Sequence, residues 1–334
     1  MLLEVFKKNK QFSFRYYRNQ LSSFEQQVYD KIYNGIMSYS ERIELNVPFS
    51  QRIADIYYKV LNDNPEIFFV KPFSYSNTTI FPVYRFDMAT TEKHFRGLAD
   101  KSLKIIGKKN RSELDREKNI HDYFCSRTLY DQEYCDYIEA NNGMIPFSKS
   151  GSECAGPLLF GKGVCGGIAK AAKLLFDLAG IKSIYVVSKT HAWNIVYIKN
   201  IPYHLDITWD LSHTKSCGIL RYDYFNLSDV EILLEGEEHH PIDLEKPLCR
   251  ISGNYYRQNN MYMLKQDDFR RYLTNSLKNG KKTVVFKLPC VKNKESAKSH
   301  VIDIVNDVSK RIYGACQYQY YFNEKQYVFC LRFL

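Results

Sequence analysis

The chain has 334 residues, of which 45% are hydrophobic and 25% charged, a composition that excludes a disordered or fibrous protein and predicts one large or two modest domains. Its 47 Lys and Arg exceed its 37 Asp and Glu, giving a net charge of +10. No pattern of a known nucleic-acid-binding motif accompanies this charge, so we expect no nucleic-acid partner.

The cysteines and the start of the sequence bear on the compartment. Nine cysteines are scattered with no C-x-x-C pair, which favours free thiols over a disulfide framework. Lys7, Lys8 and Lys10 interrupt the apolar start, which therefore lacks a signal-peptide core. No segment reaches the ~20 apolar residues of a membrane span. These features predict a cytoplasmic protein without a membrane span.

Residues 1–100 are predicted to form an N-terminal α/β region. Ser50 is expected to cap a helix, Pro82 to push its strand to an edge, and Gly107 to divide two helices. Periodicity and turn residues predict, in chain order, helices over 15–40 and 50–61, strands over 66–70 and 79–86, and two helices within 90–124.

Residues 101–250 are predicted to form the functional core. A Gly- and Pro-rich loop over 141–163 leads directly into Cys165, and loops of this length inside a domain are commonly functional. A strong helix over 166–179, closed by Gly180, should follow it. Next come strands over 184–187, 191–198 and 203–208, a four-residue turn over 199–202, and an acidic loop over 227–245 that is expected to cover a cleft.

The last part of the chain, residues 251–334, is predicted to form a small α+β appendage. Its elements are expected, after a linker over 254–260, as a helix over 266–278, a strand over 282–288, a helix over 295–311, and strands over 316–321 and 326–333. The fold class expected for the whole chain is α+β.

Cys165 is the first candidate for catalysis. A thiol in the first turn of a helix is favoured as thiolate by free backbone N–H groups and the helix dipole. Gly163 and Gly166 remove bulk around the sulfur and let a substrate backbone approach it. The alternative is a cysteine that serves as a small buried hydrophobic residue.

His191 and Asp206 complete a candidate triad. His191 begins a strand and could accept the thiol proton and return it to a leaving amine. In the predicted hairpin, Asp206 lies near the strand end opposite His191, where a carboxylate could hold one imidazole nitrogen. The alternatives are a surface histidine at a strand end and an aspartate that caps a turn.

Other residues of this segment are candidates for binding and for the oxyanion hole. Trp193 and Trp209 either wall the cleft and shield the His–Asp pair, or pack the hairpin. The backbone N–H of Cys165 is a natural oxyanion donor. Candidates for the second donor are Tyr130, Asn141 and Asn142.

Two groups of residues are candidate metal ligands. His239 and His240 adjoin two glutamates, and His213 precedes Cys217 by four residues. Zinc sites need three or four converging ligands, and no second pair lies at a familiar spacing. We therefore predict neither a metal nor a cofactor.

These blocks together resemble the core of the transglutaminase-like superfamily. The runs that carry the resemblance are Gly163-Val-Cys-Gly-Gly-Ile-Ala-Lys-Ala171, Gly180-Ile181, His191-Ala-Trp-Asn-Ile-Val196 and Tyr203-His-Leu-Asp-Ile-Thr-Trp-Asp210. Residues 63–68 and Tyr130-Asp131 resemble bacterial members more loosely. The resemblance implies a papain-like fold with Cys165 as nucleophile, His191 as general base and Asp206 as the orienting acid.

The expected function is cysteine-dependent acyl transfer on a peptide or amide bond through a thioester, with a peptide or protein as substrate. Bacterial members of the superfamily are often regarded as peptidases, so the resemblance favours hydrolysis. A transglutaminase or deamidase would use the same triad. A protein of another class, a binding scaffold that kept the fold without catalysis, is the second alternative.

Overall fold

A computed structural model describes residues 14–107, 111–141, 151–242, 245–289, 294–314 and 317–334. They form a mixed α+β fold of helices and several small, mostly antiparallel sheets, which confirms the predicted class. Within these ranges, no helix is both long and apolar enough to cross a membrane.

Among residues 14–107 and 111–127, the N-terminal part has five helices and one antiparallel sheet. In chain order its elements are α1 (Tyr16–Asn19), α2 (Ser23–Met37), β1 (Ile43–Glu44), α3 (Gln51–Asp63), β2 (Val70–Ser76), β3 (Thr79–Tyr84), α4 (Met88–Ile106) and α5 (Glu113–Arg127). The helix predicted over 15–40 is two helices, because Ser22 starts a new one. Its hydroxyl accepts the N–H of Glu25, and the Glu25 carboxylate accepts the N–H of Ser22, forming a capping box.

The first sheet differs from the prediction in two ways. The strand expected over 66–70 begins only at Val70, and Pro82 lies in the middle strand of the order β1-β3-β2 rather than at an edge. The missing N–H of Pro82 is tolerated because β1 is too short to reach it. On its other side, the pairing with β2 shifts register between Lys71 and Ser74.

Two predicted helix boundaries are found. Ser50 occupies the N-cap position of α3, although its side chain makes no capping hydrogen bond. Gly107 ends α4 with φ of 76°, a conformation that favours glycine, and α5 follows as a separate helix.

The middle of the chain places one long helix against a three-stranded antiparallel sheet. In order its elements are β4 (Leu129–Tyr130), α6 (Gln132–Ala140), β5 (Lys162–Gly163), α7 (Cys165–Leu178), β6 (Ser183–Val187), β7 (Ala192–Ile198), β8 (Ile201–Leu205) and α8 (Ile207–Cys217). Helix α7 packs on β6 and β7, and the sheet order is β6-β7-β8. Of the loop predicted over 141–163, residues 142–150 lie outside the described part, and Gly156–Phe160 form a π-helical turn.

Strands β7 and β8 are joined by a two-residue turn, not by the predicted four-residue one. Lys199 and Asn200 have φ of 52° and 61°, and these left-handed values suit the type I′ turn that matches strand twist. Ile198 therefore pairs with Ile201 directly beside the turn.

The strand predicted over 203–208 is wrong beyond Leu205. The Asp206 side chain accepts the backbone N–H of Trp209, so Asp206 is the N-cap of α8 and the chain becomes helical at once.

The C-terminal part contains the predicted α-β-α-β-β order. After α9 (Asp229–Ile232), a 3-10 helix (Leu233–His239) and α10 (Tyr255–Gln258), its elements are α11 (Gln266–Lys278), β9 (Thr283–Lys287), α12 (Lys294–Tyr313), β10 (Tyr318–Asn323) and β11 (Val328–Phe333). The acidic segment and the linker thus carry short helices where loops were expected.

The described residues have two principal hydrophobic cores. One runs from Leu21 to Phe225, and joins the N-terminal helices to α7 and its sheet. The other runs from Met263 to Phe333, between α11, α12 and the sheet of order β10-β11-β9. Helix α7, which begins at Cys165, therefore packs on the larger core.

Candidate active site

Cys165 is the first residue of α7, as predicted, and Val164 is the N-cap. It is partly exposed and packs against the small cluster of Ala169, Tyr185 and Ala192, which joins α7 to β6 and β7. The first N–H groups of a helix have no intrahelical acceptor, and the dipole there favours negative charge. The thiol is thus held where an anion is favoured.

Close packing explains the glycines around Cys165. A Cβ on Gly167 would lie 2.1 Å from the carbonyl oxygen of Gly151, and one on Gly163 would lie 2.8 Å from the same oxygen. A Cβ on Gly166 would lie 3.2 Å from the Tyr185 hydroxyl. The backbone approach at Gly163 and Gly167 requires glycine, and contact of Gly163 or Gly166 with a substrate stays a prediction.

His191 lies just before β7, in the turn after β6, rather than within the strand. Its backbone N–H donates to the Ser188 hydroxyl at 3.0 Å, and its carbonyl accepts the Ser188 N–H at 2.8 Å. Its Nε2 donates to Asp206 Oδ2 at 2.6 Å. Only 8% of the His191 side chain is exposed and Asp206 is fully buried, so this hydrogen bond is shielded from water.

The Asp206 carboxylate accepts three hydrogen bonds. One oxygen takes the N–H of Trp209 at 3.1 Å, and the other takes Nε2 of His191 and Nε2 of His239, the latter at 2.8 Å. Burial raises the pKa of Asp206, but the two histidines lower it more, and the net pKa lies below its usual range. Asp206 thus orients His191 and caps α8 with one side chain.

These bonds fix the orientation of the His191 ring. An ionised carboxylate only accepts, so Nε2 of His191 carries the proton and Nδ1 is left to interact with Cys165. Burial lowers the pKa of His191, whereas the charge and hydrogen bond of Asp206 and the bond to Cys165 raise it, with a net value of about 10.

Asn194 locks the strand of His191 to the helix of Cys165. From β7 its side-chain amide donates to the carbonyl of Ala169 in α7 at 3.0 Å and to that of Ile184 in β6 at 3.4 Å. These bonds hold the two parts of the candidate site at a fixed separation.

His239 belongs to the candidate site, although the sequence indicates it only as a weak metal ligand. It is fully buried, and its Nδ1 has no partner among the described residues, whereas the adjacent His240 is exposed. One donor atom each of His191, Asp206 and His239 lie within 4.8 Å of one another, and their 2.6 and 2.8 Å contacts are hydrogen-bond lengths. His239 lies 33 residues beyond Asp206 in an acidic segment, and no spacing pattern signals this contact.

The two tryptophans enclose the histidine from different sides. Trp193 is buried, lies nearly parallel to the His191 ring at 6.1 Å between centroids, and donates its Nε1 proton to His204. Trp209 meets His191 edge-on at 6.2 Å and is only half-buried. Both rings therefore shield the imidazole.

A cleft of about 820 Å³ opens beside His191. Leu129, Tyr130, Trp209 and Leu211 give it apolar walls, and Glu139 and Glu238 place carboxylates at it. Of the four predicted substrate-binding residues, Trp209 lines this cleft and Trp193, Gly163 and Gly166 do not. Cys165 interacts with two residues that line the cleft, His191 and Tyr130, but is not itself part of the lining.

The proposed oxyanion donors fall into different places. Tyr130 faces the cleft, its hydroxyl bonds to Cys135 Sγ at 3.7 Å, and burial together with the charge of nearby Cys165 raises its pKa. The Asn141 amide instead donates to the Tyr137 carbonyl at the end of α6. Asn142 lies outside the described residues. Of the two candidates that the structure describes, Tyr130 is the one near Cys165.

The other candidate metal ligands, His213 and Cys217, form hydrogen bonds with different residues. His213 bonds the Tyr321 hydroxyl through Nδ1 at 2.5 Å, and the Asn323 amide through Nε2 at 3.1 Å. Both ring nitrogens thus tie α8 to β10. Cys217 accepts a hydrogen bond from Arg221 at 2.9 Å.

Comparison with known proteins gives only weak likeness. No family model matches the chain, and no curated protein matches it. A solved structure described as a TGase is 19% identical over 55% of this chain, with a TM-score of 0.33. The match covers 47% of that structure, so this chain spans about half the length of the solved structure it matches. A TM-score this low supports no conclusion about the fold or the function of this chain.

Proposed function

We propose that this chain is a cysteine-dependent acyl-transfer enzyme that cleaves peptide or amide bonds through a thioester, with water as its favoured acceptor. Cys165 is the nucleophile, His191 the general acid and base, and Asp206 the orienting carboxylate. The observation that carries the proposal is the 2.6 Å bond from His191 Nε2 to buried Asp206, which leaves Nδ1 for a thiol at a helix N-terminus.

The proposal extends to the architecture. Residues 101–250 form a transglutaminase-like core of papain-like type, residues 1–100 an N-terminal α/β region packed on it, and residues 251–334 a small C-terminal domain. A cysteine-bearing helix packed on an antiparallel sheet supports the first assignment. The separate hydrophobic core from Met263 to Phe333 supports the last.

In the first half-reaction His191 Nδ1 takes the proton of the Cys165 thiol, and Sγ attacks the substrate carbonyl carbon. The carbonyl oxygen becomes an oxyanion near the backbone N–H of Cys165, with Tyr130 as the second donor. As the C–N bond breaks, the His191 imidazolium gives its proton to the departing amine. The acyl group remains on Cys165 as a thioester.

In the second half-reaction water attacks the thioester carbon and gives a proton to His191. The C–S bond breaks, the acid product leaves, and His191 returns the proton to Cys165. Asp206 stabilises the imidazolium in both halves and does not itself take the proton. Trp193 and Trp209 shield the charged pair from bulk water.

A specific observation supports the alternative acceptor. The cleft beside His191 carries the carboxylates of Glu139 and Glu238, which attract a cationic amine. An amine that resolved the thioester would make the enzyme a transglutaminase, and water acting on a glutamine side chain would make it a deamidase. The substrate lies against the walls formed by Tyr130 and Trp209, with Gly163 and Gly166 leaving room beside the sulfur.

Selective alkylation tests the activated thiol. The reduced protein is treated with limiting iodoacetamide at about pH 6.5, where a thiol without an activating partner reacts slowly, and its peptides are mapped by mass spectrometry. We expect Cys165 to label first, and His191→Ala to abolish this preference. Cys135 is the matched internal control, because it lines the cleft beside Cys165 and has a similar exposure, while burial raises its pKa. Equal, slow labelling of Cys165 and Cys135 would favour the non-catalytic scaffold.

Activity distinguishes the remaining alternatives. Wild type, Cys165→Ala and Cys135→Ala are incubated with a peptide library, and new N-termini, released ammonia and incorporated dansylcadaverine are measured in parallel. New N-termini that need Cys165 indicate a peptidase, ammonia alone a deamidase, and amine incorporation a transglutaminase. Full turnover by Cys165→Ala would contradict all three.

A further inference from the structure

Two buried cysteines lie on a helix and a strand that pack against each other, one in the middle and one in the C-terminal part of the chain. Cys217 is the last residue of α8, and Cys330 lies in β11. Side chains alternate along a strand, and Phe329 and Leu331 point into the C-terminal core. Cys330 and Arg332 therefore lie on the opposite face of β11.

That face packs against α8. Arg332 Nη2 donates to the carbonyl oxygen of Cys217 at 2.8 Å. Tyr321, which pairs with Cys330 across the sheet, bonds His213 one turn before Cys217. Contacts on both sides of the pair thus direct Cys330 towards Cys217.

An arginine distinguishes the two sulfur atoms. Arg221 donates from Nη1 to Cys217 Sγ at 2.9 Å, while its other N–H groups hold Asp223 at 2.8 and 3.0 Å. The neighbouring Cys330 thiol and the Arg221 charge outweigh burial and lower the pKa of Cys217, whereas the pKa of Cys330 is raised. Cys217 is therefore the more nucleophilic sulfur, and Cys330 keeps its proton.

We propose that Cys217 and Cys330 form a covalent modification site, a disulfide made when a peroxide oxidises the pair. The Cys217 thiolate attacks one peroxide oxygen, the O–O bond breaks, and hydroxide leaves, giving a sulfenic acid. The Cys330 sulfur then attacks the Cys217 sulfur, so that the S–S bond forms and the S–O bond breaks. The released protons convert both hydroxides to water, and the two electrons lost by the sulfurs reduce the peroxide.

The disulfide would connect elements that are distant in the chain. Helix α8 has Asp206 as its N-cap and ends at Cys217, so the bond would fix the far end of the helix that the site carboxylate caps. It would also close the chain between residues 217 and 330. Closing so long a loop restricts the unfolded chain, and the oxidised protein should unfold at a higher temperature than the reduced one.

Peptide mapping of the full-length protein tests the site. Reduced protein is exposed to stoichiometric hydrogen peroxide, quenched with N-ethylmaleimide and digested without reductant. We expect a linked peptide pair containing Cys217 and Cys330, which dithiothreitol separates. Recovery of both cysteines as separate maleimide adducts, at peroxide doses that oxidise Cys135, would overturn the proposal.

Two variants identify the attacking sulfur. In Cys330→Ser the sulfenic acid on Cys217 has no thiol to resolve it, so dimedone should label Cys217 after peroxide treatment. Absence of that adduct in folded protein would contradict the assigned roles. Cys249→Ser, which changes a buried cysteine of another cluster, should leave the linked pair intact. None of these readouts depends on the reaction proposed for Cys165.

Discussion

His239 and Asp206 are joined by a 2.8 Å hydrogen bond in the interior of the protein, where Nε2 donates to the carboxylate oxygen that also accepts His191. The carboxylate is therefore restrained from two directions. A triad aspartate held only by its histidine could rotate about its own side chain. Here the second imidazole, enclosed by Trp193 and Trp209, prevents that rotation.

We predict that His239→Phe keeps the fold and lowers kcat/KM on the order of 10-fold, since a lost hydrogen bond to a charged group typically costs that much. Phenylalanine preserves the aromatic packing but cannot donate to Asp206. The readout is the pH profile of kcat/KM on the peptide substrate, because a change in Asp206 orientation should also move its alkaline limb.

His240→Phe is the matched control for this prediction. His240 is adjacent in sequence but exposed, and has no contact with Asp206. We expect its profile to overlay that of the wild type. Equal losses in the two variants would show that His239 has no special role.

Asp206 performs two tasks that different substitutions separate. Asparagine is as good an N-cap as aspartate but cannot stabilise an imidazolium, so Asp206→Asn should lose about 10³–10⁴-fold in kcat while retaining the start of α8. Asp206→Ala should lose the same activity and be about 1 kcal/mol less stable than the asparagine variant. Urea unfolding of both variants gives the difference. Equal stabilities would mean that the cap contributes nothing.

The protonation of His191 sets the alkaline limb of activity. Burial lowers the pKa of His191, but Asp206 and Cys165 raise it to about 10, and the leaving amine needs the protonated ring. We therefore expect kcat/KM to fall as the pH passes about 10. In Asp206→Asn the limb should move towards the ordinary value of 6.5, because the carboxylate charge is gone. An unchanged limb would separate His191 from the proton transfer.

The raised pKa of His191 also predicts how the stability of the fold depends on pH. The pKa of His191 is higher in the folded chain than its ordinary 6.5, so the imidazolium contribution is complete below pH 6.5 and is lost as the pH rises towards about 10. The difference in unfolding free energy between wild type and His191→Gln should therefore shrink over this interval. Urea titrations at several pH values measure it, and a difference that grew with pH would contradict the assignment.

Two neighbouring glycines should differ in their tolerance of a methyl group. Gly167→Ala would place a Cβ 2.1 Å from a backbone oxygen and should cost at least about 3 kcal/mol, since neither backbone segment can yield cheaply. Gly166→Ala would meet the end of the Tyr185 side chain at 3.2 Å and should cost about 1 kcal/mol or less. Thermal unfolding ranks the two variants. The reverse order would refute the close approach at Gly167.

The sequence predicted those site residues whose positions depend on local structure. Cys165 begins its helix because a glycine-rich turn precedes a strongly helical run, and His191 lies at the start of a strand because an apolar run follows it. Asp206 was placed correctly beside His191, but for a partly wrong reason. The expected strand over 203–208 ends at Leu205, and capping chemistry overrides the apolar pattern that follows.

The remaining features depend on contacts between distant segments. His239 reaches Asp206 only because the chain returns over Trp193 and Trp209, and no local pattern encodes that return. Pro82 was predicted at an edge, yet it occupies a central strand whose neighbours happen to leave its position unpaired. Both the His239 contact and the position of Pro82 depend on how helices and strands pack together, and not on the secondary-structure propensity of local residues.

The two-residue turn at Lys199 and Asn200 makes the length of this loop part of the geometry of the candidate triad. Side chains of a strand alternate between faces, so a single inserted residue would slip β8 by one position and invert every side chain on it. Asp206, which follows that strand directly, would then point away from His191 although both residues were still present. Insertion of one residue into this turn would therefore separate Asp206 from His191, and its deletion would bring them together again, with no substitution of either residue.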